Sequence, residues 1–306
     1  MLAGMNRFSL MAVLLVCGFC LGGSVRAEVG SGSPQAKVFR VMTYNIWNVF
    51  DNKNQLENGV RWIKEQDVDV LALQELTNVK PEFLGSIAKR WGHEYSALLK
   101  TSGYSVGLTS RTPIEIREKR LKGMHHGYLH ASTANLEVFV VHLSPFKYEV
   151  RKREAEILVK QIKLLLAQKK RVIVMGDFNA LSPSDRLFLD QNEEALKAAS
   201  ETDAKHAHVQ NLKDGKFDYG VMAHFLNAGL YDVVDKQLPL NAVDRVTCPT
   251  GIFADKKTVP ANGQRVDFIL VSPNLYHSIS KSFIPRDEIL NRISDHYPVS
   301  VEFKSN

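Results

Sequence analysis

The sequence predicts a layered α/β domain in which two β-sheets are covered by helices. Two observations carry this expectation. Residues 95–142 hold five strand-like runs with no competing helical period. On either side, apolar stripes at helical spacing alternate with short, wholly apolar runs that read as buried strands. No internal repeat, coiled-coil heptad or low-complexity block interrupts that order.

The elements follow in sequence. Residues 37–46 alternate polar and apolar side chains up to Asn45, as a strand does. Asn54 followed by Glu57 resembles a capping box, and Leu56, Val60 and Ile63 give the helix behind it an apolar stripe. Residues 68–73 form a buried strand that delivers Gln74 and Glu75. Pro81 opens a helix with Leu84, Ile87, Ala88 and Trp91 on one face. Strands are expected at 95–99, 105–110, 114–118, 128–134 and 137–142. Ala155, Leu158, Val159, Ile162, Leu165 and Leu166 keep the spacing of a long helix, and Lys169, Lys170 and Arg171 suit its negative end. Residues 171–175 are the next buried strand. Residues 190–219 are polar and weakly periodic, and read as a solvated helix–loop excursion rather than a substrate contact. A short helix at 222–228, a turn and strand at 229–234, and strands at 266–271 and 298–303 close the domain.

The ends and composition add bounds. Residues 1–27 read as a signal peptide: Arg7 makes a basic start, residues 8–21 are almost wholly apolar, and Val25-Arg26-Ala27 offers a small-residue cleavage site. Residues 28–36 are rich in Gly, Ser and Pro, a flexible tether before a single domain at 37–306. The expectation is an exported protein, periplasmic or secreted, with no stable membrane anchor after cleavage. Removing 1–27 takes away Arg7, Arg26, Cys17 and Cys20, so the formal charge falls from +6 to +4 and Cys248 is the one cysteine left. An exported chain without an internal disulfide must be held by its core. A balance of +4 does not by itself identify a nucleic-acid partner. The sequence shows no protein-partner signal.

Short polar islands end the apolar runs. Glu75 ends a buried strand, where an ionised carboxylate needs a charge partner; a hard cation or a salt bridge would each serve. Asn45 is a turn former or a second oxygen ligand. In Gly176-Asp177-Phe178-Asn179, an extended backbone would put the carboxylate and amide on one side and Phe178 in the core; a β-turn with an Asx hydrogen bond is the alternative. His142 follows an apolar run. Asp267 and the Asp295-His296 pair offer a carboxylate to fix an imidazole as a general base. The inventory is that of metal-assisted phosphoester hydrolysis.

The ordered set Thr43-Tyr44-Asn45-Ile46, Gln74-Glu75, Val141-His142-Leu143, Gly176-Asp177-Phe178-Asn179, Arg265-Val266-Asp267-Phe268 and Ser294-Asp295-His296-Tyr297-Pro298-Val299 resembles the endonuclease/exonuclease/phosphatase superfamily over residues 38–303. The resemblance implies a DNase I-like four-layer αββα sandwich, two mixed, mainly antiparallel sheets flanked by helices, with the site where the loops of the two sheets meet. It implies Glu75 as principal ligand of Mg²⁺, or Mn²⁺, with Asn45 beside it and Asp295 in support. Asp177 would orient the attacking water, Asn179 and His142 would bind the phosphate, and Asp267 would pair with His296 as base. Tyr104 lies near the position of a phosphate-binding tyrosine in some branches.

Departures from the family pattern narrow the branch. Val266-Asp267-Phe268 replaces the Cys-Asp-Arg of inositol-polyphosphate phosphatases, and His142-Leu143-Ser144 departs from the His-Leu-His of sphingomyelinases. The abasic-site endonuclease branch generally lacks a histidine at position 142. The expected substrate is a phosphodiester, nucleic acid ahead of a phospholipid headgroup, with a phosphomonoester or an inert binding module as alternatives. His125, His126, Tyr128, His130, Lys147, Tyr148, Arg151, Lys152 and Arg153 would make either a base-stacking groove or a solvated face.

Overall fold

Alternation decides how the strands are buried. In the strand 136–142, Val138 and Val140 face one core while Phe139 and Val141 face another, and residues 172–175 and 268–271 repeat the pattern. A strand apolar on both sides must be covered on both, which forces a layered fold. The computed structural model shows those layers and describes residues 38–237, 239, 243–253 and 263–304. The expected leader and tether lie outside the described residues.

The first sheet has the order β13 (Ile279–Phe283), β14 (Val299–Phe303), β1 (Phe39–Asn45), β2 (Val70–Gln74), β4 (Gly107–Ser110), β3 (Tyr95–Leu98). The second runs β11 (Tyr231–Asp232), β12 (Asp267–Val271), β8 (Val172–Asp177), β7 (Leu136–His142), β6 (Tyr128–Thr133), β5 (Glu115–Arg120). Only β1–β2 and β7–β8 pair in parallel among the strands of these two sheets. The sheets pack face to face, β1 against β8 and β12, and β2 against β7 and β8. Val41, Val70, Val140, Met175 and Ile269 fill the space between them. Burying each such side chain contributes about 1.5–3 kcal/mol. The helices Lys53–Gln66 and Pro81–Arg90 flank the first sheet; Tyr148–Ala167 and Gly220–Asn227 cover the second through Leu158, Ile162 and Phe225. This is the αββα sandwich that the sequence implies. Among the described residues, no helix is long and apolar enough to cross a membrane.

Local departures have local causes. Helix Lys53–Gln66 is capped by Asn52 and not by Asn54: the Asn52 side chain accepts from the amides of Asn54 and Gln55, each at 3.1 Å. Ahead of it, residues 47–51 form a left-handed turn of five non-glycine residues with φ from 38° to 63°. Helix Pro273–Ser278 and edge strand β13 were not expected; Pro273 at the first helical turn was the available signal. The polar stretch 190–219 folds as helix Glu193–Lys205, capped by Asn192, and a small hairpin, β9 (Leu212–Lys213) and β10 (Lys216–Phe217).

Gly176 is required by backbone approach. Its φ is 145°, and a Cβ there would lie 2.0 Å from the Val141 carbonyl oxygen on the paired strand. Gly176→Ala is therefore expected to cost about 3 kcal/mol or more, since only backbone lies in the way. Thermal unfolding checks it; an unchanged midpoint would contradict this register of β7 on β8.

Candidate active site

Strand register collects the polar islands at one edge. Asn45 lies opposite Gln74 at the ends of parallel β1 and β2. Asp177 lies opposite His142 on one side and Asp267 on the other, so three adjacent strands present His142, Asp177 and Asp267 in a row. The two groups meet across the sheets. The Asn45 Nδ2 donates to Asp177 Oδ2 at 3.1 Å and to Glu75 Oε1 at 3.3 Å. The left-handed turn supplies the remaining donors: the Trp47 amide bonds Asn45 Oδ1 at 3.1 Å, and the Asn48 amide bonds Glu75 Oε2 at 3.3 Å. Each left-handed residue costs roughly 1–2 kcal/mol, so the turn stores strain beside the site.

His296 enters from the loop before β14. Its Nδ1 lies 2.7 Å from Asp267 Oδ2, and its Nε2 lies 3.9 Å from Asp177 Oδ2. The Ser294 hydroxyl donates to the Asn45 carbonyl at 2.7 Å and accepts the His296 amide, which pins this loop to β1. His142 Nε2 lies 3.5 Å from Asp177 Oδ2. The Gly176-Asp177-Phe178-Asn179 segment is not extended to its end. Asn179 has φ 47° and its amide donates to Asp177 Oδ1 at 2.8 Å, so the Asx turn is what forms. The turn still keeps Asn179 beside the site, its Nδ2 donating to the Leu143 carbonyl at 3.1 Å, while Phe178 is buried under the helices.

Burial sets the electrostatics. It raises the Glu75 and Asp295 carboxyls, and it pushes Asp177 up to about 7 with the Asp267 charge adding to the effect. Burial alone would lower His296, but the Asp267 carboxylate outweighs it and holds the imidazole well above its usual value. His142 is driven well below its usual value by burial, then by His126, and is a neutral imidazole.

These side chains fit a hard divalent cation. Asp295 Oδ1 and Asp267 Oδ1 are buried without a hydrogen-bond partner, and Glu75 is a desolvated carboxylate. Carboxylate and amide oxygens are the donors that Mg²⁺ and Mn²⁺ take. Ligand atoms of Asp177, Asp267 and His296 also lie within 4.8 Å of one another, a second group able to hold an ion. There, however, Asp267 and His296 already bond each other.

A charge test follows. The folded Asp177 carboxyl titrates near 7, against about 3.9 unfolded, so between those values the folded state holds more protons. The stability of the protonated group is full below about pH 4 and is lost as pH rises toward 7. In chelator, Asp177→Asn removes that loss, and its thermal midpoint is expected to gain a few degrees on wild type between pH 4 and pH 8. A difference flat across pH would count against the assignment.

The structure also gives several groups partners that sequence reasoning did not assign to them. His126 stacks on His142 with centroids 4.3 Å apart, and Tyr104, exposed at the rim, meets His126 edge-on at 5.6 Å. A buried network ties Asp185 to Arg245 and Arg265, each at 2.8 Å, and Arg265 to Asp232 at 2.5 Å. It anchors the residues that flank Asn179 and Asp267. The excursion proves to be a wall: helix Glu193–Lys205 and the β9–β10 hairpin enclose a cavity of about 310 Å³ that reaches Asn179 and His296. Within the proposed stacking groove, Tyr128 is buried, His130 packs on Phe139, and Arg151 is buried holding the Ser144 carbonyl. Those three are structural. A doubled histidine, His125-His126, was the one sequence signal for the stacking.

The sequence model of the Endonuclease/Exonuclease/phosphatase family matches residues 42–296. No curated protein matches the sequence. Among solved structures, an AP endonuclease from Archaeoglobus fulgidus superposes with a TM-score of 0.63 at 18% identity. A 3′ phosphatase from Neisseria bound to product DNA hairpin gives 0.66 at 19%, and a 3′–5′ exonuclease from Neisseria meningitidis 0.64 at 19%. Each alignment covers 87% of this chain and 100% of the other. At these identities the likeness is one of fold.

Proposed function

The chain belongs to the endonuclease/exonuclease/phosphatase family, and from that membership we propose that it is an exported, divalent-metal-dependent phosphodiesterase, a nuclease by preference. The observation that carries the reading is the Asn45 amide bridging Glu75 and Asp177, with the Asp267–His296 pair beside Asp177. Glu75, Asn45 and Asp295 would hold Mg²⁺ or Mn²⁺. When bound, the cation neutralises phosphate charge and lowers the pKa of a water.

The side chains divide the remaining work. Asp267 fixes the tautomer of His296 through Nδ1, so that the unprotonated imidazole, present above its raised pKa, can take a proton from the attacking water on Nε2. Asp177, 3.9 Å from that nitrogen, orients the water and shares the proton load. Neutral His142 and the Asn179 amide hydrogen-bond phosphate oxygens as negative charge builds up. The Asp185 network holds the two loops that carry Asn179 and Asp267.

Hydrolysis of bis-(p-nitrophenyl) phosphate tests the reading. It is expected in Mg²⁺ or Mn²⁺, lost in EDTA and restored by added cation. If neither this ester nor a panel of single- and double-stranded DNA, RNA, sphingomyelin and inositol phosphates is turned over, the enzymatic reading fails in favour of a binding module. Export rests on residues 1–27, and a mature protein starting at Glu28 outside the cytoplasm would support it.

A further inference from the structure

A row of rings leads away from the catalytic imidazole, and phosphate chemistry makes no use of it. His126 stacks on His142 at 4.3 Å; His125 meets His126 at 4.3 Å; Phe146 meets His125 at 5.0 Å; His208 meets Phe146 at 5.2 Å. His125 and His208 are exposed and Phe146 is half-buried. The row is built rather than incidental. Buried Glu154 accepts the backbone amides of both His125 and Ser144, fixing the two turns that carry His125 and Phe146. The Gln210 amide bonds the Phe146 carbonyl at 2.9 Å and so holds the His208 loop against it. Basic residues accompany the rings: Lys100 lies near enough to act on His125 and His126, Lys147 follows Phe146, and Lys205 precedes the His206–His208 stretch.

We propose that this row is a stacking surface for the unpaired bases of a single-stranded nucleic acid whose scissile phosphate lies at His142. The inference rests on the phosphodiesterase reading and specifies its substrate. Exposed ring faces stack on any base that is not paired, and flanking lysines offset backbone charge. In a duplex, paired and stacked bases do not offer their faces to such rings.

Binding of a fluorescein-labelled twelve-residue oligo-dT, followed by anisotropy in EDTA, tests the surface without turnover. Phe146→Ala/His208→Ala is expected to weaken binding about tenfold or more, given the stacking strength of single rings. Phe146→Trp/His208→Phe, which keeps both rings, is expected to retain it. Circular dichroism and thermal midpoints establish that both variants are folded. Equal binding by the alanine variant, no binding by wild type, or a duplex bound as tightly as the single strand would overturn the proposal. Wild-type hydrolysis of bis-(p-nitrophenyl) phosphate separates the two readings. If the ester is cleaved and ring loss has no effect, the surface falls alone. If ring loss weakens binding and neither this ester nor any member of the substrate panel is cleaved, the hydrolase reading falls alone.

Discussion

Glu75→Gln is expected to lower kcat/KM for bis-(p-nitrophenyl) phosphate about 10³-fold or more, with the fold intact. Glutamine keeps the side-chain shape and an oxygen for the Asn48 amide, which bonds Glu75 at 3.3 Å. It removes the charge that a divalent cation would neutralise. In the cation-free protein that charge is a burden, because burial raises the Glu75 carboxyl. The variant should therefore unfold no earlier than wild type in EDTA while losing the thermal stabilisation that Mg²⁺ gives wild type. The size of the loss in rate is that of an interaction acting on transition-state charge in a dry site. Titration calorimetry with Mg²⁺ is the companion measurement. Unchanged activity and cation affinity would move the ion to the Asp177, Asp267 and His296 group.

Asp267→Asn should lower kcat by about 10³–10⁴-fold, the scale on which an orienting carboxylate acts when its histidine is the base. The structural warrant is the 2.7 Å contact with His296 Nδ1, both residues buried. An amide in that place can donate toward Nδ1, which puts the imidazole proton on Nε2 and blocks proton uptake from water. The variant also removes the carboxylate that holds His296 above its usual value, so the acid limb of the pH–rate profile should shift to lower pH. Residues that act as one unit are not additive. Asp267→Asn/His296→Gln is therefore expected to be no slower than the more damaged single variant. Multiplicative losses would mean that the two residues act separately.

The layers and most elements were legible because they depend on local period. The five strand-like runs between residues 95 and 142 correspond to β3–β7, and the stripe from Ala155 to Leu166 lies in helix Tyr148–Ala167. The members of the candidate site were legible for a related reason: each ends an apolar strand, and register brings strand ends together. What escaped depends on distant partners or on conformations that side-chain pattern does not encode. Asn48 and Asp51 tolerate positive φ, but Trp47, Val49 and Phe50 rarely adopt it, so residues 47–51 gave little signal of a left-handed turn. The excursion looked solvated because its helix is polar on most sides, with Ala195 its one buried residue. Small alanines at 195, 198 and 199 were the trace of a cavity wall. Arg151 read as part of a groove or a solvated face, and Arg265 as part of a motif with no role of its own, because the partners that enclose them, Asn211 and Asp185, lie far along the chain.

The site straddles a seam. Asn45 and Glu75 belong to one sheet, His142, Asp177 and Asp267 to the other, and the bonds of Asn45 to Asp177 and of His296 to Asp267 cross between them. Neither sheet carries a working half, so catalysis is a conjunction: it registers that the two sheets have docked and says nothing of either alone. Recovery of activity during refolding should then lag behind the return of secondary structure, because the contacts that complete the site join residues more than a hundred positions apart. A partly folded chain, however rich in native strands, is silent. Turnover thus serves as a proofreader of assembly, reporting the last long-range contact to close.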